Sequence, residues 1–144
     1  MVLPVQLIDE YLPDCRLENV HALFGPKSGA KGIEGLSVVM CQTERSHPSS
    51  YEKIVRFLED LELEIIVTDP ETHDKAMAAV QGRTHFLGRL LQKLGIKKQP
   101  NATMPYRLVY AVMDAVCGDS RELYLTTQLG NPYASLERQL FLNK

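Results

Sequence analysis

The hydrophobic pattern of the chain changes once, at residues 68–71, and this change restricts the available folds more than any other feature. Before it, two compact apolar runs at 36–40 and 64–67 flank a stretch with helical spacing. After it, apolar residues recur every three or four positions to the end of the chain, which is typical of helices. The sequence therefore predicts an α/β part followed by an all-α part.

The α/β part has the order of a crossover unit, strand then helix then strand. Such units usually place two parallel strands side by side and pack the helix across the sheet. Ser49 and Glu52 have the spacing of a capping box for that helix. A helix over residues 2–12 and a short strand over 20–23 precede the unit, so we expect the closing portion of a larger, mostly parallel sheet.

The all-α part begins with the strongest helix-start pattern in the chain. Thr68 and Glu71 form a capping box, with Pro70 in the first turn. The pattern predicts one long helix up to Gly95, with a face buried against a partner and formed by Met77, Val80, Thr84, Leu87, Leu91 and Leu94. A second helix is expected over 105–117, a third capped by Asp119 and Glu122, and a short amphipathic one at the end.

Composition excludes several classes of protein. The 144 residues carry a formal charge of -2 with 24% charged residues and have no basic stripe, which argues against nucleic acid as a partner. No stretch has the roughly 20 apolar residues of a membrane-spanning helix. Three widely spaced cysteines, Cys15, Cys41 and Cys117, favour a reducing, cytoplasmic setting over a disulfide scaffold.

His21 is the first candidate for chemistry, because it lies just before a Phe24-Gly25-Pro26 turn at the end of a strand. An imidazole there can face a cleft while backbone holds its other nitrogen, and histidine exchanges protons near neutral pH. The structural alternative is a half-buried histidine bonded only to its neighbours.

A second group of polar residues lies on the long helix. Gln81 and His85 are four residues apart, so they share a face and could line a substrate cleft, or simply bridge neighbouring elements. His73 and His85 are too far apart for a shared metal ion, since twelve helical residues rise about 18 Å. The sequence therefore predicts no metal site.

Two segments resemble the prephenate and arogenate dehydrogenase family: VHALFGPKSG at 20–29 and HDKAMAAVQGRTHF at 73–86. The family pattern has proline where this chain has Ala22, and leucine where it has Arg83. The Tyr106-Arg107 pair also resembles the pair that opens the corresponding helix of the family. The resemblance implies that His21 accepts the substrate's hydroxyl proton and that Arg107, with His85 and Gln81, binds substrate.

The resemblance also implies a reaction and a domain organisation. The reaction is oxidative decarboxylation of prephenate or arogenate in tyrosine biosynthesis, with NAD or NADP as hydride acceptor. Residues 1–68 would be the closing part of a Rossmann-like, dinucleotide-binding α/β domain. Residues 69–144 would be a helical domain that binds substrate and forms a homodimer.

The sequence contains no G-x-G-x-x-G turn between a strand and a helix, so the main device for binding a dinucleotide pyrophosphate is missing. We therefore expect a partial chain, which is a fragment, the product of a split gene or a truncated reading frame, and a companion chain could supply the nucleotide-binding half. The alternative is a non-catalytic remnant, or a regulatory dimerisation module, of the same family.

Overall fold

The computed structural model describes residues 1–142, which form two compact units. The first unit is Met1–His73 and the second begins at Asp74. The division lies within a helix, a few residues beyond the predicted boundary at 68/69. None of the helices within the described residues is long and apolar enough to cross a membrane.

The first unit has three helices and three strands. They are α1 Val2–Tyr11, β1 Asn19–Ala22, α2 Pro26–Gly29, β2 Ser37–Cys41, α3 Pro48–Asp60 and β3 Glu64–Thr68. β2 and β3 are parallel and joined through α3, which confirms the predicted crossover unit. β1 is antiparallel to β2, in the sheet order β1-β2-β3. The chain reverses between β1 and β2 where Gly32 and Gly35 adopt positive φ, a conformation that suits glycine.

The core of the first unit lies between β2 and α3. Val38 and Met40 on β2 are each 1% exposed and pack against Leu58 of α3. Partly buried residues complete this cluster: Tyr51, Ile54, Val55, Leu63 and Ile65. An apolar run on the middle strand is what a sheet covered on both faces requires, because such a strand has no solvent face.

Both predicted capping boxes of the first unit are wrong in detail. α3 begins at Pro48, one residue before Ser49, because proline suits the first helical position and needs no hydrogen-bond partner for its nitrogen. The helix after β3 is capped by Asp69, whose Oδ1 accepts a bond from the Thr72 backbone N at 2.9 Å. Bonds to Thr72 lower the pKa of the Asp69 carboxyl. Thr68 is unavailable as a cap because it is the last residue of β3.

The second unit is helical throughout, as predicted. The helix that starts in the first unit, α4 Pro70–Met77, continues through a first π segment Ala78–Gly82 into α5 Arg83–Lys93. Then follow α6 Met104–Cys117, α7 Arg121–Leu125, a second π segment Thr126–Gly130 and α8 Ala134–Leu142. The α/β part followed by an all-α part is thereby confirmed.

The buried face of the long helix differs from the predicted one. Ala78, Gly82, His85 and Gly88 are buried, whereas Val80 is 63% exposed and Leu94 is 68% exposed. The predicted row assumed regular α-helical spacing, whereas the wider turn of the first π segment, which contains Val80, rotates Leu94 and the other residues after it. Small residues let α6 approach closely: a Cβ built on Gly88 would lie 1.9 Å from Val116 Cγ2.

A buried glutamine connects the two π segments. Gln128 is 5% exposed, and its Nε2 donates to the Gly82 carbonyl at 2.9 Å. Arg138 on α8 donates to both the backbone and the side-chain oxygen of Gln128, at 2.8 and 3.0 Å. These bonds satisfy groups that the irregular helical turns leave without regular partners.

Candidate functional site

His21 occupies the outer strand of the sheet. It lies in β1 opposite Val39 of β2, and its side chain is half-buried. The chain then turns into the short helix α2, where Ser28 Oγ accepts a bond from the Gly25 backbone N at 3.0 Å. The predicted strand and glycine turn therefore exist, and they hold the imidazole at the end of a strand.

The partner of His21 is a second histidine. His21 Nδ1 lies 2.8 Å from His73 Nε2, and the two rings meet edge to face at 70° with centroids 5.0 Å apart. His73 is 5% exposed, and its backbone N donates to the Asp69 carbonyl in the first turn of α4. The first turn of α4 therefore places the His73 side chain against His21.

This contact restricts the protonation of the pair. A hydrogen bond needs one donor and one acceptor, and an imidazole nitrogen is either one or the other. Only one of the two facing nitrogens can therefore carry a proton, because two N–H groups would repel each other at 2.8 Å. The roles of donor and acceptor in this contact therefore depend on the tautomers of the two rings.

Sequence reasoning gave His73 no role beyond its place in the His73-Asp74 pair, and it predicted backbone as the partner of His21. The available signal was that three histidines, His21, His73 and His85, lay in the two segments that carried the family resemblance. The contact between His21 and His73 spans 52 positions along the chain, and only the packing of β1 against α4 creates it.

Arg107 lines a cleft of about 460 Å³ in the second unit. The cleft lies between the start of α6 and the loop before it, and its other lining residues are Lys98, Gln99, Pro100, Ala102, Tyr106 and Tyr110. The cleft thus combines two cationic side chains with two phenol rings. This chemistry suits an anionic ligand that carries a ring.

Two hydrogen bonds hold the cleft in shape. The Tyr106 hydroxyl donates to the Lys97 carbonyl at 2.8 Å, and Arg107 Nε donates to the Ala102 carbonyl at 3.2 Å. The second bond uses one of the five donors of the guanidinium. Its terminal nitrogens can still bind a carboxylate, and Arg107 is exposed as binding requires.

Gln81 and His85 lie elsewhere in the second unit. Gln81 is half-buried in the first π segment, and His85 is 6% exposed on α5, with its Nε2 3.8 Å from Asp119 Oδ2. Neither residue lines the Arg107 cleft. The predicted cap of the third helix, Asp119, is wrong. Ser120 caps α7 instead, because its Oγ accepts a bond from the Leu123 backbone N at 3.1 Å.

Burial lowers the pKa of His85 below its usual value. The Asp119 carboxylate opposes this shift and the Arg89 guanidinium adds to it, but burial has the largest effect. His85 is therefore neutral near pH 7 and offers a ligand a hydrogen bond rather than a charge.

The described residues contain no group of three or more His, Cys, Asp or Glu side chains that could hold a metal ion. Cys15, Cys41 and Cys117 are not joined in disulfides. A dinucleotide pyrophosphate also finds no matching turn between residues 1 and 142. The helix that follows the Phe24-Gly25 turn, α2, has only four residues, and the Gly25 backbone N already donates to Ser28 Oγ. The residues present therefore do not fit NAD or NADP by themselves.

The known proteins to which this chain is similar are arogenate and prephenate dehydrogenases. No family model matches the chain. It is similar to arogenate dehydrogenase 2, chloroplastic, of Arabidopsis thaliana, with 31% identity over 142 residues. That match covers 94% of the chain and 40% of the plant protein, so the chain spans less than half of this relative.

Solved structures show the same fold. The Synechocystis arogenate dehydrogenase matches with a TM-score of 0.65 and 19% identity, over 90% of this chain and 51% of that one. Prephenate dehydrogenase from A. aeolicus, in complex with hydroxyphenyl propionate and NAD+, matches with a TM-score of 0.59 and 16% identity. The match covers 76% of this chain and 40% of the A. aeolicus chain. Because it is 31% identical to the plant enzyme over almost its whole length, the chain belongs to the prephenate and arogenate dehydrogenase family.

Proposed function

We propose that the chain supplies the proton-accepting and substrate-binding part of a prephenate or arogenate dehydrogenase of tyrosine biosynthesis. The carrying observation is His21, held by a second imidazole at 2.8 Å in a chain similar to these enzymes. The reaction is oxidative decarboxylation, for which NAD or NADP supplies the hydride acceptor when bound.

His21 accepts the proton of the substrate's ring hydroxyl. The imidazole can do this because histidine exchanges protons near neutral pH, and the contact of its Nδ1 with His73 orients the ring. As the ring becomes aromatic, the same proton can return to the product's phenol oxygen. The residue thus acts as a base and then as an acid.

Arg107 binds a substrate carboxylate. Its guanidinium fork matches a carboxylate in two parallel hydrogen bonds, and Lys98 adds positive charge to the same cleft. Gln81 and His85 are proposed as further substrate contacts. His85 would act as a neutral hydrogen-bond donor, since burial lowers its pKa.

The dinucleotide is bound mainly by residues outside these 144, on the same polypeptide or on a companion chain. This proposal is supported by the lack of a glycine-rich turn that fits a pyrophosphate and by the partial coverage of the relatives.

We further propose a homodimer formed through the helical unit, because this unit exposes large apolar residues of the kind that a dimer interface buries. Three cysteines that form no disulfide favour the cytoplasm as the compartment.

Turnover tests the proposed activity. The chain is mixed with NAD+ or NADP+ and with prephenate or arogenate, alone and together with the nucleotide-binding portion of a relative, and reduced cofactor is followed by absorbance. We expect turnover in the mixture, and a loss of about 10²- to 10⁴-fold in kcat for His21→Asn. Activity unchanged by His21→Asn would remove this residue from the mechanism.

A binding measurement tests the substrate cleft without any cofactor. Calorimetry with hydroxyphenylpropionate should give saturable binding to the full chain, weakened at least tenfold in Arg107→Gln. Arg107→Lys keeps the charge but loses the fork, so it serves as the matched variant. Equal affinities for wild type and Arg107→Gln would exclude the proposed role and favour the non-catalytic dimerisation module.

A further inference from the structure

We propose that Lys98 makes the Arg107 cleft selective for a substrate with a keto-acid side chain, as in prephenate, over one with an amino-acid side chain, as in arogenate. The inference rests on the proposed function and deepens it, since it places the side-chain carboxylate of the substrate on Arg107. At this end of the molecule the keto acid is an anion, whereas the amino acid is a zwitterion because its ammonium group is protonated at neutral pH.

Both sides of the cleft carry positive charge. Arg107 lies in the first turn of α6, and Lys98 belongs to the loop on the other side. No Asp or Glu is among the described residues that line the cleft, and Gln99, Tyr106 and Tyr110 add no formal charge. A carboxylate bound by Arg107 is therefore attracted by both cations, whereas an ammonium one carbon away from it is repelled by both.

The groups near the cleft that could bind an ammonium already have partners. The Ala102 carbonyl accepts a bond from Arg107 Nε at 3.2 Å. The Asp114 carboxylate lies one turn further along α6, outside the lining residues, and accepts a bond from the Tyr110 hydroxyl at 3.5 Å. An ammonium group in the cleft would therefore lose part of its hydration without gaining a counter-charge, which weakens binding.

Lys98 and Arg107 have different effects on the ligand. The guanidinium fork matches the carboxylate of either substrate, so Arg107 provides affinity without choosing between them. The lysine ammonium is a compact charge without a preferred planar partner, so it responds to the net charge at the end of the ligand. Lys98 is therefore the specificity-determining residue. Because both side chains are exposed, salt should screen the selection.

Calorimetry of the full chain with three stable phenols tests the proposal. 4-Hydroxyphenylpyruvate has the keto-acid side chain and L-tyrosine the amino-acid side chain. 4-Hydroxyphenyllactate has the shape of tyrosine, with a hydroxyl in place of the ammonium, so it separates charge from shape. We expect the pyruvate and the lactate to bind about tenfold more tightly than tyrosine, or more. This difference should shrink when the salt concentration is raised to about 1 M.

Variants of Lys98 test its part in the selection. Lys98→Gln should reduce the preference for the lactate over tyrosine to about threefold or less, and Lys98→Glu should remove or reverse it, because a carboxylate attracts the ammonium. Lys97→Gln is the matched control, since Lys97 is exposed next to Lys98 but does not line the cleft. It should keep the wild-type preference. Equal wild-type affinities for tyrosine and the lactate, or a preference that persists in both Lys98 variants, would overturn the proposal.

Arg107→Gln separates this proposal from the proposed function. If all three ligands bind the wild type equally and lose affinity in Arg107→Gln, the cleft binds the carboxylate and only the selection by Lys98 is refuted. If none of the three binds the wild type, the substrate cleft itself is refuted, and the selection with it.

Discussion

The burial of His85 has a consequence for the stability of the helical unit. His85 is 6% exposed between α5 and Asp119, and burial lowers the pKa of its imidazole. An unfolded chain restores an ordinary histidine pKa of about 6.5. As the pH falls through that value, His85 binds a proton in the unfolded state but stays neutral in the folded state.

We therefore expect the stability of the helical unit to fall as the pH drops from about 7 through 6.5 and towards the lower pKa of folded His85. Above about pH 7.5 the residue is neutral in both states and contributes no pH dependence. Urea unfolding at a series of pH values measures the effect. His85→Gln should lose this part of the slope.

Carboxylates also titrate during acidification, so the contribution of His85 is the difference in pH dependence between the wild type and His85→Gln. His47→Gln, in the other unit, should keep the wild-type slope of the helical unit. An identical slope for His85→Gln and wild type between pH 7.5 and 5.5 would show that His85 is protonated equally in both states.

At the residue scale, the sequence predicted the local structural setting of the candidate residues but not the residues they contact. His21 and Arg107 stand where their patterns predicted, one at a strand end and the other near a helix start. The His21–His73 contact and the ion pair of Arg83 with Glu137 were not predictable, because each joins residues more than fifty positions apart. Such contacts depend on packing, which local spacing does not encode.

The same limit applies to helix ends. All the main helices were predictable from periodicity, yet each predicted cap was off by one or two residues. Ser120 caps α7 in place of Asp119, and Asp69 caps α4 in place of Thr68. Capping preferences depend only on residue type and local spacing. They do not show that Thr68 is already part of a β-strand.

The packing of α5 on α6 gives a prediction at the scale of elements. Alanine usually stabilises a helix over glycine by about 1 kcal/mol. Gly88→Ala should instead destabilise the helical unit by about 1–3 kcal/mol, because its Cβ would lie 1.9 Å from Val116 Cγ2. Urea unfolding of the variant measures the change.

A second substitution tests the cause of that loss. Gly88→Ala combined with Val116→Ala removes the clashing methyl group, so the double variant should be more stable than the sum of the two single changes predicts. Gly130→Ala is the matched control, since its Cβ would make an ordinary contact of 3.6 Å with Thr126. Additive effects, or a stabilised Gly88→Ala, would mean that α6 moves aside freely.

For the molecule as a whole, the surface of the helical unit is the main unexplained feature. Several large apolar side chains are more than half exposed there: Val80, Leu94, Leu108, Leu129, Leu136 and Leu140. Isolated exposed apolar residues are ordinary, but so many on one small unit suggest a covered surface. The exposed part of the predicted apolar row, Val80 and Leu94, belongs to this set.

We expect the chain to sediment as a dimer at micromolar concentration, with Val80 and Leu94 in its interface. Val80→Glu combined with Leu94→Glu should shift the species to monomer, because each carboxylate would have to lose its hydration in an apolar contact. Sedimentation velocity gives the mass of each species. Phe57→Glu is the control, since Phe57 is 60% exposed on α3 of the other unit and should leave the mass unchanged.

The result also bears on the choice between enzyme and module. A wild-type chain that stays monomeric would contradict the dimer and remove the main support for a dimerisation module. A dimer that dissociates in the glutamate variant while hydroxyphenylpropionate still binds would separate pairing from substrate recognition. In that case the Arg107 cleft would be complete within one copy of the chain.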